Sequence, residues 1–465
     1  MTLKDFLEQN QITDIAIDSR LVKPGSLFFV VRGGEKFIQD VVSKGALAIV
    51  SDIEIKVEIP VIKSSNVHND LVYALQKFYS DLPKNIFAVT GTKGKTSTAE
   101  FLRQMLEITH HKAASIGTLG MVCNDAKIYQ EISDSSLTTP DIVSLYKNLA
   151  ILKKHGIDDV AIEASSIGIE QGRLDGIKIG VGIFSNFSQD HLDYHLTMER
   201  YFECKMMLYN KLMNHCLAAV NADIPEFEAI KKSVGNNKLI SFGKNGETLK
   251  ILSLEEGIFL LDEKEYKINL SALGDFQVYN ALSALLAVKS YYNLSEIEIT
   301  KILDNSANLK AAKGRMDKVA ELKNGAQIYI DFAHNPDSLD KTLTNAKKFT
   351  KARLLVLFGC GGDRDAKKRP IMGEIATRIA DYVIITDDNP RTENPAEVRK
   401  QVIAGCVNSN FIEINDRKKA IGQAITMLES NDILIIAGKG HEQYQIIGDK
   451  KYPFNEEQIV KSFLR

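Results

Sequence analysis

Asn85-Ile86-Phe87-Ala88-Val89-Thr90-Gly91-Thr92-Lys93-Gly94-Lys95-Thr96-Ser97-Thr98 sets a short β-favouring run against a glycine turn and a helix start. Residues 86–89 are apolar, and beyond the turn Ala99, Phe101, Leu102, Met105 and Leu106 repeat with helical spacing. Strand, glycine turn and helix start together make a phosphate cradle. Unpaired N–H groups at the helix start face the anion, and Lys95 adds a mobile ammonium. Thr96 offers a hydroxyl to Mg²⁺. The strict nucleotide-loop pattern has a glycine where Val89 stands, so this is the shorter Gly-Thr-x-Gly-Lys-Thr variant. A plain glycine turn with a solvated lysine is the bland alternative; nucleotide binding explains more of the pattern.

Outward from this stretch, 465 residues at about 150 per domain suggest two to four domains. Hydrophobic content of 44% and charged content of 25% are those of an ordinary globular protein. A net charge of −2 gives no electrostatic case for nucleic acid. Cys123, Cys204, Cys216, Cys360 and Cys406 are scattered without a CxxC pair, which argues against a disulfide framework or zinc site and for a reducing cytoplasm. The N-terminus lacks a signal-peptide core, and no run approaches 18 apolar residues, so membrane insertion is not expected.

Before the loop, strands are expected over residues 14–18, 26–31 and 46–51, and a helix over 71–79. Asp18-Ser19-Arg20 reads as a turn or a ligand contact, and by itself as a turn. After the loop the pattern alternates β and α, as in a parallel sheet with crossover helices. Residues 159–162 run into Glu163-Ala164-Ser165-Ser166, and 180–185 run into a segment carrying Asp190-His191. Ligand groups in such sheets collect beyond the carboxyl ends of strands, so Glu163 and His191 are candidate magnesium-shell groups. A capping glutamate and a loop histidine are the alternative. Lys205, on a helix over 197–209 among Tyr201, Phe202 and Leu208, is oddly placed for a solvated lysine, though snorkelling would explain it equally well. Asn280, on a helix that follows Gly274, could meet a base or be solvated.

From Arg315 onward four strands each end in a polar cluster. Residues 328–330 lead to Asp331-Phe332-Ala333-His334-Asn335, and 354–358 to a glycine-rich turn followed by Arg369. Residues 383–386 lead to Asp387-Asp388-Asn389-Pro390-Arg391, and 433–437 to Gly438-Lys439-Gly440-His441-Glu442. Four such clusters describe one binding rim of a parallel sheet, suited to a ligand carrying both carboxylate and ammonium groups.

These segments together resemble the Mur ligases, ATP-dependent amide-forming enzymes of peptidoglycan synthesis, over essentially the whole chain. The likeness rests on Thr90 to Thr96, on Glu163-Ala164-Ser165-Ser166, on Asp190-His191-Leu192-Asp193-Tyr194-His195 and on Asp331-Phe332-Ala333-His334-Asn335-Pro336. It implies an α/β fold of three domains: a UDP-substrate-binding domain over 1–84, a central P-loop-type ATPase with a mostly parallel sheet over 85–314, and a C-terminal Rossmann-like amino-acid-binding domain over 315–465. Asp18-Ser19-Arg20, Leu137-Thr138-Thr139-Pro140, the Asp388 to Arg391 run and the Gly438 to Glu442 run point within the family to the member that joins meso-diaminopimelate to UDP-N-acetylmuramoyl-L-alanyl-D-glutamate. A monomeric, cytoplasmic enzyme is expected.

The resemblance also implies roles. ATP would be held by Gly91, Thr92, Lys93, Gly94, Lys95, Thr96, Ser97, Asn280, Arg315, Asp331 and His334. Catalysis would involve Lys95, Glu163, His191 and Lys205, with Mg²⁺ on Thr96, Glu163, His191 and a carbamylated Lys205. Ser19, Thr138, Thr139, Ser165, Gln171 and Arg173 would contact the UDP-linked substrate. Arg369, Asp388, Asn389, Pro390, Arg391, Gly438 and Glu442 would take the amino acid. Closure of the third domain, with Arg315 and Asp331, would complete the site. Three departures stand out: Ile167 where relatives often carry histidine, Lys93 where asparagine is frequent, and a shortened segment from Arg32 to Phe37. A folylpolyglutamate synthase is the nearest rival, but it usually lacks a separate uridine-binding domain. A nucleotide-dependent switch has no need of the C-terminal rim.

Overall fold

The alternation of β-branched runs with amphipathic stretches produces mixed α/β architecture with mostly parallel strands. The computed structural model describes residues 2–31, 33–132, 137–212 and 214–464, so Arg32 of the shortened segment lies outside the described residues. Packing gathers the chain into two units interleaved in sequence. One comprises Met1–Thr92, His110–Ala219 and Pro225–Leu239; the other comprises Lys93–Thr109, Val220–Ile224 and Ile240–Arg465.

In the first unit a small parallel sheet runs in the order Asp14–Ala16, Ser26–Phe29, Ala48–Ser51, Val61–Lys63. A second set of strands pairs in the order Val181–Phe184, Asn85–Thr90, Asp159–Glu163, Ala113–Gly117, Gly120–Cys123. The first four of these are parallel and the last is antiparallel. The register sets Val89 opposite Glu163 and Thr90 opposite Phe184. The chain therefore delivers the end of the opening strand, Glu163 and the segment after Phe184 to one edge of the sheet, as a parallel arrangement requires.

In the second unit six strands lie in the order Asp317–Glu321, Gln327–Asp331, Ile433–Ala437, Leu354–Phe358, Tyr382–Ile385, Phe411–Glu413. Only the first pairing is antiparallel. Successive residues along these strands face opposite sides. Val356 and Phe358 join Leu339, Leu343, Met372 and Ala376 in one core, while Leu355 and Leu357 join Ala420, Ile421, Ala424 and Val460 in the other. Both faces are covered by helices, which is why these strands read as continuous apolar runs.

Two features were not expected from the sequence. The parallel pattern is interrupted by an antiparallel run of Leu249–Ser253, Ile258–Leu261 and Lys264–Lys267, and a hairpin forms from Tyr444–Ile447 and Lys450–Pro453. Lys264–Lys267 and Lys450–Pro453 are charged and largely exposed and carry little of the periodicity that marks a buried strand, whereas Leu249–Ser253 and Ile258–Leu261 alternate buried and open positions over short runs only. Among the described residues, no helix is long and apolar enough to cross a membrane.

Candidate active site

The loop after the strand Asn85–Thr90 uses glycine where nothing else fits. Gly91 has φ of +144°, and a Cβ there would lie 2.1 Å from Ser185 Oγ. Gly94 has φ of +86°, and its Cβ would lie 2.4 Å from Asn280 Oδ1. Both positions favour glycine for conformation and for space. Thr92 is stitched down by its N–H to the Asn186 carbonyl at 3.0 Å and its hydroxyl to the Ser188 carbonyl at 3.1 Å. The helix Lys95–Ile108 starts immediately after Gly94, with Thr96 and Ser97 buried in its first turn. Asn280 is not solvated. It is 5% exposed, accepts from Thr98 at 3.4 Å and donates to Gln277 at 3.2 Å, supporting the loop from below. Lys93 pairs with Asp337 at the start of the helix Pro336–Phe349.

Glu163 is 2% exposed and caught by Thr118, whose N–H donates at 2.7 Å and whose hydroxyl donates at 3.2 Å. It is therefore an oriented carboxylate and not a helix cap; Ser165 caps the helix Ser166–Glu170 instead. The Thr118 hydroxyl also reaches Thr138 at 3.2 Å. Thr139 donates to the Glu163 carbonyl at 2.7 Å and lies 2.9 Å from Ser165 Oγ. Arg173 donates to the Thr139 carbonyl at 2.6 Å and to Gln171 Oε1 at 2.7 Å. Thr138, Thr139, Ser165, Gln171 and Arg173 thus form one hydrogen-bonded patch adjoining Glu163.

Lys205 does not snorkel. It is 1% exposed, its Nζ donates to the Gly91 carbonyl at 2.9 Å, and it sits 4.5 Å from the Tyr201 ring centroid. Tyr201 donates to Thr92 Oγ1 at 3.2 Å, and burial pushes its phenol up to about 12. His191 adopts left-handed backbone (φ +52°), is half-exposed, and lies edge-on to Tyr201 at 6.2 Å. Ser19 begins a short turn of 3₁₀-helix, with Asp18 capping it, and also lines a cavity of about 730 Å³ shared with Arg20, Phe28, Phe37, Asp141 and Lys147. The turn and ligand readings of Ser19 are thus compatible.

The four polar clusters of the C-terminal segment do share one rim, because their strands are parallel. Lys439 is fully buried and donates to Asn389 Oδ1 at 2.9 Å and Glu442 Oε2 at 3.2 Å; Asn389 also donates to Glu442 at 3.1 Å. Arg391 has φ of +49° and donates through Nη1 to the Gly362 carbonyl at 2.7 Å. Asp388 is 9% exposed, with one carboxylate oxygen, Oδ2, lacking a hydrogen-bond partner beside Gly438. Arg369 is wholly buried, gripped by Glu393 through two 2.8 Å bonds and by Gln401 at 2.8 Å, which leaves Nε as its unpaired donor. That grip holds the Glu393 carboxyl down at about 2. Asp331 accepts from the N–H groups of Met316 and Ala333 at 2.8 and 2.9 Å, and burial raises its pKa. Arg315 lies over the Phe332 ring at 4.7 Å, and His334 packs edge-on against the same ring. Gly314 has no room for a Cβ, which would lie 2.3 Å from the Gly440–His441 backbone, so the linker is pressed onto the rim.

Comparison with known proteins bears on this geometry. The family model for the Mur ligase middle domain matches residues 89–288, and that for the Mur ligase, glutamate ligase domain matches residues 314–440. A UDP-N-acetylmuramoyl-L-alanyl-D-glutamate--2,6-diaminopimelate ligase of Rickettsia bellii is 40% identical over 100% of this chain and 98% of its own. The chain belongs to the Mur ligase family. An Agrobacterium fabrum ligase of the same name is also 40% identical, over 98% of this chain and 93% of its own. A solved structure of a ligase so named superposes with a TM-score of 0.72 at 30% identity, covering 98% of this chain and 95% of the other.

This Mur ligase contains working residues that no sequence motif announced. Thr118, which holds Glu163, stands in the turn Gly117-Thr118-Leu119-Gly120, whose two glycines are its only signal. Lys439 was visible only as part of a glycine cluster. Its burial between Asn389 and Glu442 depends on strands far apart in sequence coming together, so pattern alone had no means to find it.

Proposed function

We propose that this Mur ligase joins diaminopimelate to UDP-N-acetylmuramoyl-L-alanyl-D-glutamate, driven by ATP. The observation that carries the reading is the end-to-end likeness, at 40% identity, to ligases named for that reaction, a likeness that includes the segment before the nucleotide loop. A folate-directed ligase would not need the cavity around Ser19, and a nucleotide switch would not need the rim around Arg391 and Glu442.

A carboxylate is a poor electrophile. Transfer of the ATP γ-phosphoryl group to it gives an acyl phosphate. The amine of the incoming amino acid then attacks the acyl carbon, and the tetrahedral intermediate expels phosphate. Positioning and charge stabilisation dominate such transfers. Lys95 is assigned to the β/γ-phosphates, and Thr90 to Thr96 to the loop that cradles them. The oxygen and imidazole donors of Thr96, Glu163 and His191, with a carbamate on Lys205, suit a hard divalent cation, and the fixed, buried Glu163 carboxylate is the best-formed of them. Mg²⁺ held there would offset the negative charge that gathers during phosphoryl transfer. Asp331, Arg315 and His334 are assigned to the nucleoside side, and Ser19 to the uridine end. Thr138, Thr139, Ser165, Gln171 and Arg173 are assigned to the sugar-peptide. The functional segments 1–84, 85–314 and 315–465 follow these roles. Nucleotide-linked substrates and reduced cysteines fit a cytoplasmic site of action.

At the rim, Arg391 is assigned to the distal carboxylate of meso-diaminopimelate. Asp388, Asn389, Glu442 and the Gly438 backbone are assigned to its distal ammonium, with Pro390 shaping the turn. Arg369 supports the loop and offers Nε. The test is phosphate release measured with the UDP-linked dipeptide against a panel of amino acids. Release that requires both this acceptor and diaminopimelate is expected. Release with a folate acceptor and glutamate, or with ATP alone at the same rate, overturns the reading.

A further inference from the structure

Beside Lys205, and partly on the same helix, lies a largely buried cluster to which the proposed chemistry assigns no role. Glu170, His195 and Cys204 each offer one donor atom, and the three atoms lie within 4.8 Å of one another. They come from three consecutive helices, Ser166–Glu170, Leu192–His195 and Met198–Met207. His195 is fully buried and Cys204 is 5% exposed. Two of the donors, His195 Nδ1 and Glu170 Oε2, are buried without a hydrogen-bond partner, 4.0 Å apart. Buried polar atoms nearly always find partners, so two orphans facing each other across one small space call for an occupant.

The remaining contacts prepare these atoms for a cation. His195 Nε2 lies 2.9 Å from Ser166 Oγ. When Nε2 donates to that hydroxyl, Nδ1 presents its lone pair to the cluster, the usual way an outer hydrogen bond fixes a ligating imidazole. Arg200 holds the other oxygen of Glu170 at 2.9 Å and leaves Oε2 turned inward.

We propose that Glu170, His195 and Cys204 form a binding site for one thiophilic divalent cation of the Zn²⁺ type, separate from the magnesium-shell residues Glu163 and His191. Some point lies within about 2.8 Å of three atoms so spaced, against about 2.0–2.3 Å for bonds from zinc to nitrogen, oxygen and sulfur, so side-chain adjustment of well under 1 Å closes the site. The sulfur and imidazole donors select zinc over magnesium, which takes oxygen ligands. On binding, the thiol proton passes to solvent and sulfur ligates as thiolate. A cation here would tie together the helices that carry Ser166, His195 and Lys205, and so brace the segment that presents Lys205.

The test uses the full chain, stripped of metal and titrated with Co²⁺ as a spectroscopic probe and then with Zn²⁺. One equivalent of Co²⁺ is expected to give a thiolate charge-transfer band together with visible bands of low-coordinate geometry. Zn²⁺ should displace it, excess Mg²⁺ should not, and the melting temperature should rise on Zn²⁺ addition. Cys204→Ala should abolish the charge-transfer band and weaken Zn²⁺ binding at least about tenfold, with the fold checked by circular dichroism. Glu170→Gln, which keeps shape and removes charge, should weaken binding while keeping the band, and serves alone if the alanine variant does not fold. No charge-transfer band in the unaltered chain, or a response in either variant equal to the unaltered chain's, overturns the proposal.

Discussion

Lys205 donates from Nζ to the main-chain carbonyl of Gly91 at 2.9 Å, so the lysine on the helix Met198–Met207 is tied to the first glycine of the nucleotide loop. A carbamylated Nζ keeps one N–H, enough to retain this bond while the added carboxylate extends beyond it. Lys205→Ala is therefore expected to reduce ligation to near zero while leaving the fold intact. Added formate or acetate should restore part of the rate by standing in for the carbamate. Full activity in the variant without rescue would sink the carbamate assignment.

Gly117 is needed for space and not for conformation. A Cβ at this position would lie 2.1 Å from Glu163 Oε1, and the carboxylate is already fixed by the neighbouring Thr118. Gly117→Ala should displace Glu163 and lower kcat by about 10²-fold, the scale of a 1 Å misplacement. Overpacking should cost about 1–3 kcal/mol in a urea titration. An unchanged kcat would show that Glu163 does not need its present position.

Selection of diaminopimelate over L-lysine should depend on Arg391. Lysine lacks the distal carboxylate, so a guanidinium placed for it would be left unpaired. At about 1.5–3 kcal/mol for a hydrogen bond to a charged group, and more for a stranded one, discrimination of at least about tenfold and up to about 10⁴-fold is expected. Arg391→Ala should remove most of it by slowing diaminopimelate. Equal ligation rates for the two amino acids in the unaltered enzyme refute the assignment.

Stability should fall on mild acidification. His195 and His441 both have pKa values lowered from 6.5, in each case chiefly by burial. The unfolded chain therefore takes up protons first as pH falls through 6.5. The stability these neutral imidazoles preserve is fully present above that pH and is lost progressively below it, towards their folded pKa values. The urea midpoint should drop between about pH 7 and pH 5.5, and His195→Gln should flatten the slope. A midpoint constant over this range contradicts the prediction.

Much of this was legible in the sequence for a local reason. The nucleotide loop is a contiguous stretch, and glycine at positions 91 and 94 is demanded by backbone conformation that sequence reports directly. The four C-terminal strands are buried on both faces, so their apolar runs and polar ends stood out, and the parallel rim followed. The short antiparallel strands at 249–267, buried on one face at most, and the exposed hairpin at 444–453 lacked that contrast and were missed.

By itself, then, the sequence determined the family, the loop and the rim, because each is written in short-range pattern. Only tertiary structure decided what individual side chains do. It set Asn280 beneath Gly94, buried Arg369 against Glu393, and fixed Glu163 on Thr118. It also tied Lys205 to Gly91 and brought donor atoms of His195, Cys204 and Glu170 within 4.8 Å of one another. Those pairings join residues up to 186 positions apart, as in Gly94 and Asn280, and they depend on strand order and helix packing. No local pattern encodes such distances, because burial and hydrogen-bond partners exist only once the chain has closed on itself.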